Sequence, residues 1–156
     1  RLNSAKKLSD KGVLVGFHFH PIVYYEGYEN DYKHIVRKVM SMFHSSQIAM
    51  ISMGTLTFIK PAINKLRSTG LKSKVLQIPM EDAVGKSSYT KEIKKEIFSN
   101  VYDEFSSWHK DLFFYLCMEE SSIWEMVFGD YYKSNSDFET ALFESVSSKM
   151  DALQVV

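Results

Sequence analysis

Residues 12–27 read GVLVGFHFHPIVYYEG, and this stretch decides the fold that we expect for the chain. Its first half is a nearly continuous apolar run with one glycine inside it. A short run that is apolar on both faces is typical of a buried parallel strand. Pro21 has no N–H and cannot donate to a strand ladder. We therefore predict a buried strand over 12–20.

Two histidines stand at the carboxyl end of this predicted strand. His18 and His20 are two residues apart, so their side chains leave the same face. In α/β sheets and barrels, ligands and catalytic groups collect where parallel strands end. The strand is therefore expected to lead into a functional site.

The composition excludes several classes of protein. At 156 residues and 45% hydrophobic content, the chain is one ordinary domain or a piece of a larger one. A net charge of zero argues against an extended basic surface that would bind nucleic acid, although a local basic patch stays possible. One cysteine, Cys117, allows neither an internal disulfide nor an all-cysteine metal site and fits a cytoplasmic setting. No apolar run approaches the roughly 20 residues of a membrane span.

Helices and strands are predicted to alternate along the chain. Helical spacing near the start, with Gly12 as a cap, indicates a helix already under way at Arg1, as in an excised fragment. The later predicted helices are 31–43, 60–68, 89–109, a short one capped by Ser121, and 135–153, with Phe138, Leu142, Phe143, Val146 and Met150 expected to be buried. The later predicted strands are 47–53, 74–78 and 112–118, and 80–88 is predicted to be a loop.

This alternation predicts an α/β fold in which parallel strands are joined by helical crossovers. Three or four strands are too few to close a barrel, which usually takes about eight. The first strand would keep an unpaired edge, which implies upstream strands or a pairing partner.

Four runs, GFHFHPIVYYEGYENDY, ISMGTLTF, GKSSY and YLCMEESSIWEMVFG, carry a resemblance to a known family. With them the chain resembles the carboxyl-terminal half of spore photoproduct lyase-like radical S-adenosylmethionine proteins. The resemblance covers residues 1–130 and leaves 131–156 as a helical tail. It implies a partial (β/α) barrel of about six parallel strands, fewer than a closed barrel has.

The resemblance also implies a chemistry. In that family a C-x-x-x-C-x-x-C motif near the amino-terminal strand holds a 4Fe-4S cluster that cleaves S-adenosylmethionine. The resulting radical abstracts hydrogen from the substrate, which in spore photoproduct lyase is a cross-linked thymine dimer in DNA. This chain has a single cysteine, so both cofactors are implied for the parent protein only. The chain is expected to need the missing amino-terminal half and to be inactive alone, because the cofactor performs the hard chemistry.

Site residues follow from the same resemblance. The strand end would line the adenine side of the cofactor, the next loop would contact a DNA or nucleotide-like substrate, and the LCME run would serve catalysis. His20 departs from the family, whose pattern favours an acidic residue there. The cofactor-binding set is His18, Phe19, His20 and Pro21, the substrate-binding set is Tyr25, Glu26 and Tyr28, and the catalytic set is Cys117 and Glu119.

Each of these assignments has a plainer alternative. Cys117 fits a small buried hydrophobe, and its thiol also suits a hydrogen-atom donor. Glu119 could act as a general acid or base, or satisfy the following helix. The loop tyrosines could stack bases or pack over the strand ends. The lysines at 91, 94 and 95 alternate with glutamates and indicate a solvated helix face.

Two further function classes stay open. The chain could be a non-catalytic α/β binding module that retains the half-barrel and recruits a partner. An H-x-H pair at a strand end is also typical of metal-dependent hydrolases, in which neutral imidazoles bind zinc. That site needs more ligands on later strands, and the other histidines fall on or beside predicted helices, so no metal site is assigned.

Overall fold

The computed structural model describes residues 1–70, 72–73, 75, 78, 80–83 and 86–154. Two short 3-10 turns accompany its helices and strands, at Ser45–Gln47 and Ser106–Trp108. In chain order the elements are α1 (Leu2–Ser9), β1 (Val15–Ile22), α2 (Tyr28–Met42), β2 (Ile48–Thr55), β3 (Thr57–Ile59), α3 (Lys60–Ser68), β4 (Glu81–Ala83), β5 (Lys86–Ser88), α4 (Lys91–Glu104), β6 (Phe113–Leu116), α5 (Ser121–Phe128) and α6 (Asn135–Gln154).

The main sheet is parallel and three-stranded, in the order β1-β2-β6. This confirms the predicted α/β class with parallel strands that alternate with helices. Strand β2 lies in the centre and is almost entirely buried, as its largely apolar sequence predicts. Among the described residues, β1 lies at one edge of the sheet and pairs with β2 alone.

Strand β1 begins later and ends later than predicted. It runs from Val15 to Ile22 instead of over 12–20, so it contains Pro21. The pairing with β2 shifts register between Phe19 and Ile22, and this irregularity accommodates the residue that has no N–H. A proline is tolerated here because β1 is an edge strand of the sheet.

A second, antiparallel sheet was not predicted. It has the order β3-β5-β4 and occupies much of the segment predicted to be a loop over 80–88. The loop prediction was therefore wrong. Three-residue strands are too short to show an alternating apolar pattern, and the exposed Lys86 and Asp82 gave no signal of burial. The strand predicted at 74–78 lies largely outside the described residues.

The core lies between the main sheet and the helices α2 and α4. Val36 and Val39 of α2 and Ile97 and Val101 of α4 are fully buried there. These positions have the helical spacing that the sequence shows, and they confirm the helices predicted at 31–43 and, in most of its length, at 89–109. Ile35, which has the same spacing on α2, is 41% exposed instead. The latter ends at Glu104 and is followed by a 3-10 turn.

The short helix predicted after β6 is present as α5, but Ser121 is its first residue rather than its cap. Glu120 holds the N-cap position, and its side chain makes no capping hydrogen bond. Gly129 ends the helix in the left-handed conformation, at φ +78°, which favours glycine.

Helix α6 is present, but its buried face differs from the predicted one. Phe138, Leu142 and Val146 are partly buried, whereas Phe143 is 70% exposed and Met150 is also exposed. The apolar residues are spread around too much of the helix for all of them to meet one sheet.

No helix in the described part of the chain is long and apolar enough to cross a membrane.

Candidate functional site

The two faces of β1 have different surroundings. Phe17 lies edge-on to Phe43 at 5.2 Å, and Phe19 lies edge-on to Phe105 at 5.9 Å, so both rings point into the helix-covered core. His18 and His20 leave the other face and are exposed, as predicted from their spacing. Phe19 is buried, so it could meet a ligand only through its backbone.

We call the face that carries His18 the inner face of the sheet. His18 is in register with Ser52 of β2, and Ser52 is in register with Tyr115 of β6. Ser52 is completely buried, and its Oγ has no hydrogen-bond partner among the described residues. One row of polar side chains thus crosses the middle of the inner face.

The position of His20 is set by a glycine on the neighbouring strand. A Cβ built on Gly54 would lie 2.8 Å from the Cε1 and Nδ1 atoms of the His20 imidazole. Only a residue without a side chain leaves room for the ring here. The sequence ISMGTLTF therefore carries a packing requirement that seats His20 over the end of β2.

A groove of about 290 Å³ follows the free edge of β1. Its lining includes both histidines and Pro21 from the strand, Leu2 from α1, and Tyr32, Ile35 and Val39 from α2. Sites that enclose a small molecule have about 300–1,000 Å³. The groove lies just below this size range and runs along the strand end where the cofactor contacts were predicted.

The loop after β1 is held by tyrosine hydroxyls. The Tyr32 hydroxyl accepts from the Val23 N–H at 2.9 Å and donates to the Pro21 carbonyl at 3.5 Å. The Tyr89 hydroxyl accepts from the Tyr24 N–H at 3.2 Å. The hydroxyl of Tyr25 donates to Asp31 Oδ2 at 2.5 Å. This hydrogen bond, together with burial, raises the pKa of Tyr25 to about 12.

The three predicted substrate contacts of this loop are not equivalent. Glu26 is exposed and Tyr25 is partly exposed. Tyr28 is buried at the start of α2, and its hydroxyl donates to Glu96 Oε1 of α4 at 3.0 Å. Burial raises the pKa of Tyr28 well above its ordinary value. Tyr28 therefore packs in the core and does not reach the surface that a substrate could contact. The prediction that Tyr28 contacts a substrate is wrong.

Cys117 follows β6 directly and is partly buried, with a free thiol. Its N–H donates to the carbonyl of Met53 at 2.7 Å, which extends the pairing of β2 and β6 by one step. The residue stands two positions after Tyr115, so strand geometry places it on the inner face.

Glu119 is the centre of a buried polar network. Its Oε2 accepts from Lys94 Nζ at 2.7 Å, and its Oε1 accepts from Thr55 Oγ1 at 3.1 Å. The side chains of Lys94 and Glu119 are 13% and 3% exposed. Both carboxylate oxygens accept hydrogen bonds. This geometry favours a structural role for Glu119 over a role as general acid or base.

Lys94 is a site residue that the sequence analysis missed. The prediction of a solvated helix face is wrong for Lys94, whose side chain is 13% exposed. The signal was present, because Lys94, Ile97 and Val101 have the spacing of one helix face.

The turn between β6 and α5 carries backbone strain. Met118 has φ +60° and is 78% exposed. A non-glycine residue in the left-handed region is uncommon and persists when its surroundings hold it. Here two ion pairs to α4 hold it, Lys94–Glu119 and Lys91–Glu120, the latter at 2.8 Å.

Helix α6 covers part of the inner face. The Phe138 ring lies 5.8 Å from Phe113 and 5.3 Å from Tyr115 of β6. At the other end of the helix, Lys149 Nζ donates to the carbonyls of Ser45 and Ile48 at 3.0 and 2.6 Å. The helix therefore runs from β6 to the start of β2 and leaves the His18 and His20 end exposed.

The histidine pair lacks the surroundings of a metal centre. No group of three His, Cys, Asp or Glu side chains that could hold a metal ion occurs within the described part of the chain. His18 and His20 thus have no third ligand there, and the hydrolase reading gains no support.

Comparison by sequence finds no match, either among family models or among curated proteins. Comparison of the fold does find matches. A spore photoproduct lyase variant matches with a TM-score of 0.61 and 20% identity over 75% of this chain and 37% of that chain. A variant with dinucleoside spore photoproduct gives 0.62 at 20% identity, over 75% of this chain and 38% of that one.

A third structure of the same enzyme contains bound AdoMet and dinucleoside spore photoproduct. It matches with a TM-score of 0.58 and 20% identity, over 75% of this chain and 37% of that one. This chain thus spans less than two fifths of the length of the structures that it matches. Over three quarters of its length, the chain has the fold of a part of spore photoproduct lyase.

Proposed function

We propose that this chain forms part of the barrel of a radical S-adenosylmethionine enzyme that acts on nucleic acid or a nucleotide-like substrate. The observation that carries the proposal is the open edge of β1, which lies in a parallel sheet of the spore photoproduct lyase fold and ends in His18 and His20. An open edge presents unpaired N–H and C=O groups to another strand. A further parallel strand at this edge would continue the barrel.

The chain does not fit the iron–sulfur cluster. Such clusters are held by several cysteine thiolates, and this sequence has one cysteine. A segment other than residues 1–156 has to supply the cluster. We therefore expect no cleavage of S-adenosylmethionine by these residues alone.

The strand end fits one side of S-adenosylmethionine. His18 and His20 are exposed on the inner face at this strand end, and a further strand paired to the edge of β1 would leave that face open. When bound next to a cluster, S-adenosylmethionine supplies the group that abstracts hydrogen. The residues of this chain would contact the adenosine part, through the imidazoles and through the backbone of Phe19.

Substrate contacts are assigned to Tyr25 and Glu26 on the loop after β1, because both reach the surface. Cys117 is proposed as a hydrogen-atom donor on the inner face, where its thiol is free. Glu119 is a positioning residue, since its carboxylate is bonded to Lys94 and Thr55 and holds the turn that follows Cys117.

The first test is the reading frame upstream of Arg1. The proposal predicts a C-x-x-x-C-x-x-C motif within about 200 residues, the length of the rest of such a domain. An initiator methionine immediately before Arg1 would favour a binding module instead.

The second test is to purify, without oxygen, the protein that this reading frame encodes. The purified protein should contain bound iron and sulfide. A protein without either would contradict the proposal.

A further inference from the structure

Helix α6 packs on the inner face of the main sheet, whereas α2 and α4 pack on the opposite face. Tyr115 of β6 is in register with Ser52 of β2 and belongs to the inner face. The Phe138 ring of α6 lies 5.3 Å from the Tyr115 ring. Further along the helix, Lys149 Nζ donates to the carbonyl of Ile48, where β2 begins, at 2.6 Å. In a sheet of barrel type, this is the side that faces the barrel interior.

The cover that α6 provides is incomplete. On β2, the inner-face residues Ser52 and Gly54 are buried. On β1, the inner-face residues Gly16, His18 and His20 are exposed. The helix therefore covers the inner face over β2 and β6 and leaves it open over β1. The open part lies next to the edge at which the sheet is proposed to continue.

Helix α6 also carries a second apolar stripe that this sheet does not cover. Phe143 is 70% exposed, Met150 is 49% exposed, and Val146 and Leu153 are only partly buried. The spacing of these residues, 143, 146, 150 and 153, aligns them along one side of the helix. We call them the outer stripe of α6. A helix at a protein surface buries one apolar side, and a helix that is apolar on more sides is enclosed by its surroundings.

The charges of α6 argue against two occupants of the outer stripe. Lys149 is the only cation in the sequence of the helix, and it already donates to backbone carbonyls. Two copies of the chain paired through α6 would bring acid against acid, which disfavours such a pair. The same acids would face the anionic headgroups of a membrane surface. The exposed acidic residues of α6 are Asp137, Glu139, Glu144 and Asp151.

Further strands of the same barrel are the occupant that the fold favours. The interior of a (β/α) barrel is a packed core that the inward side chains of its strands fill. This chain has the fold of a part of a longer enzyme, of which it covers 37%. A helix that already lies inside three strands would meet the inner faces of the strands that complete the barrel around it.

We propose that the outer stripe of α6 packs against inner-face side chains of barrel strands that a segment upstream of Arg1 supplies. This inference rests on the proposed function in one respect, the continuation of the barrel at β1. It makes α6 a part of the barrel core rather than an appended tail. A ligand is then confined to the carboxyl end of the strands, where α6 leaves His18 and His20 exposed.

The test places the photo-crosslinking residue p-benzoylphenylalanine at position 143 of the complete protein that the reading frame encodes. Phe143 is exposed in this chain, so the larger ring does not disturb the packing of α6 on the sheet. Irradiation, digestion and mass spectrometry should find position 143 joined to residues upstream of Arg1. Position 144 is the matched control, because Glu144 is also exposed. It lies about 100° around the helix, outside the outer stripe, so its yield of upstream cross-links should be about 10-fold lower.

A comparison of stability uses the same two positions. Phe143→Ser should leave the melting temperature of residues 1–156 nearly unchanged, because the ring is exposed there. In the complete protein the same change should lower the melting temperature by about 3 °C, because the ring is then buried. Glu144→Ser should leave both melting temperatures unchanged.

Cross-links from position 143 to a second copy of the protein, or no more upstream cross-links than from position 144, would overturn the inference. An equal effect of Phe143→Ser in both proteins, or a reading frame that begins at Arg1, would overturn it as well. Bound iron and sulfide and the cleavage of S-adenosylmethionine do not report on position 143. Cross-links to a segment that binds no cluster would therefore reject the proposed function alone. A cluster-loaded, active protein without these cross-links would reject this inference alone.

Discussion

The ammonium of Lys94 on α4 lies 2.7 Å from the carboxylate of Glu119 after β6, and both side chains are almost entirely buried. Thr55 of β2 donates to the second carboxylate oxygen. Side chains from α4, from β2 and from the turn after β6 thus meet at the carboxyl end of the sheet. Removal of one partner of such a pair leaves an uncompensated charge out of water.

We expect Glu119→Gln to lower the free energy of unfolding by about 3 kcal/mol, because the Lys94 ammonium then stays buried without a counter-charge. Lys94→Met with Glu119→Leu should cost much less, since an apolar pair replaces the ion pair. Urea denaturation of the three proteins measures both values. Glu120→Gln is the matched control, because its pair with Lys91 is exposed and should contribute less than about 1 kcal/mol. A Glu119→Gln cost as small as that of the control would contradict the buried network.

Gly54→Ala should move the His20 ring, because the new Cβ would lie 2.8 Å from two of its atoms. The ring is the end of a side chain and can rotate, so we expect a stability loss of only about 1 kcal/mol. The NMR signal of the His20 Cε1–H should shift strongly. In a His20→Ala background the same glycine substitution should cost nothing, and an equal cost in both backgrounds would refute the packing of this ring on Gly54.

Lys149 should make the docking of α6 dependent on pH. Burial lowers the pKa of Lys149 to about 8 from 10.5, and Asp111 opposes this only in part. The folded chain therefore binds fewer protons than the unfolded chain between about pH 8 and pH 10.5, so stability rises with pH across that window. With allowance for solvent screening at this half-buried group, the gain is about 1 kcal/mol.

Comparison of the wild type with Lys149→Met at pH 7.5, 9 and 10 isolates this effect. The difference between their unfolding free energies should grow in favour of the wild type as the pH increases. A difference that stays constant, or that shrinks, would show that the ammonium is not buried against the carbonyls of Ser45 and Ile48.

Two phenylalanines on α6 should behave differently. Phe138 contacts the aromatic rings of β6 and α5, and its change to alanine should cost about 2 kcal/mol through lost packing. Phe143 is 70% exposed, and the same change should alter stability by less than about 0.5 kcal/mol. Thermal unfolding of both variants checks the pair, and similar losses would mean that α6 buries a different face.

Sequence reasoning recovered the parallel sheet and its helices because these elements have long apolar patterns. β2 is mostly apolar, and α2 and α4 repeat their apolar residues at helical spacing. The antiparallel sheet escaped because its three-residue strands carry no period. The buried side of α6 escaped because apolar residues occur around much of the helix, and only the sheet beneath selects among them.

The candidate site was predicted in part. The shared face of His18 and His20 follows from the two-residue repeat of a strand. The seating of His20 over Gly54 depends on a neighbour that is far away in sequence, so no local pattern could show it. The burial of Tyr28 depends likewise on Glu96 of α4, and the role of Lys94 depends on Glu119.

The most direct test of the proposed function is the reductive cleavage of S-adenosylmethionine to 5′-deoxyadenosine. The cluster-bearing upstream segment would be loaded with iron and sulfide without oxygen and assayed with dithionite, with and without this chain. We expect addition of the chain to raise the rate about 100-fold, because the β1 edge and the His18–His20 end position the adenosine part. A His18→Ala, His20→Ala double variant should lose most of this gain. An unchanged rate on addition of the wild-type chain would contradict the account.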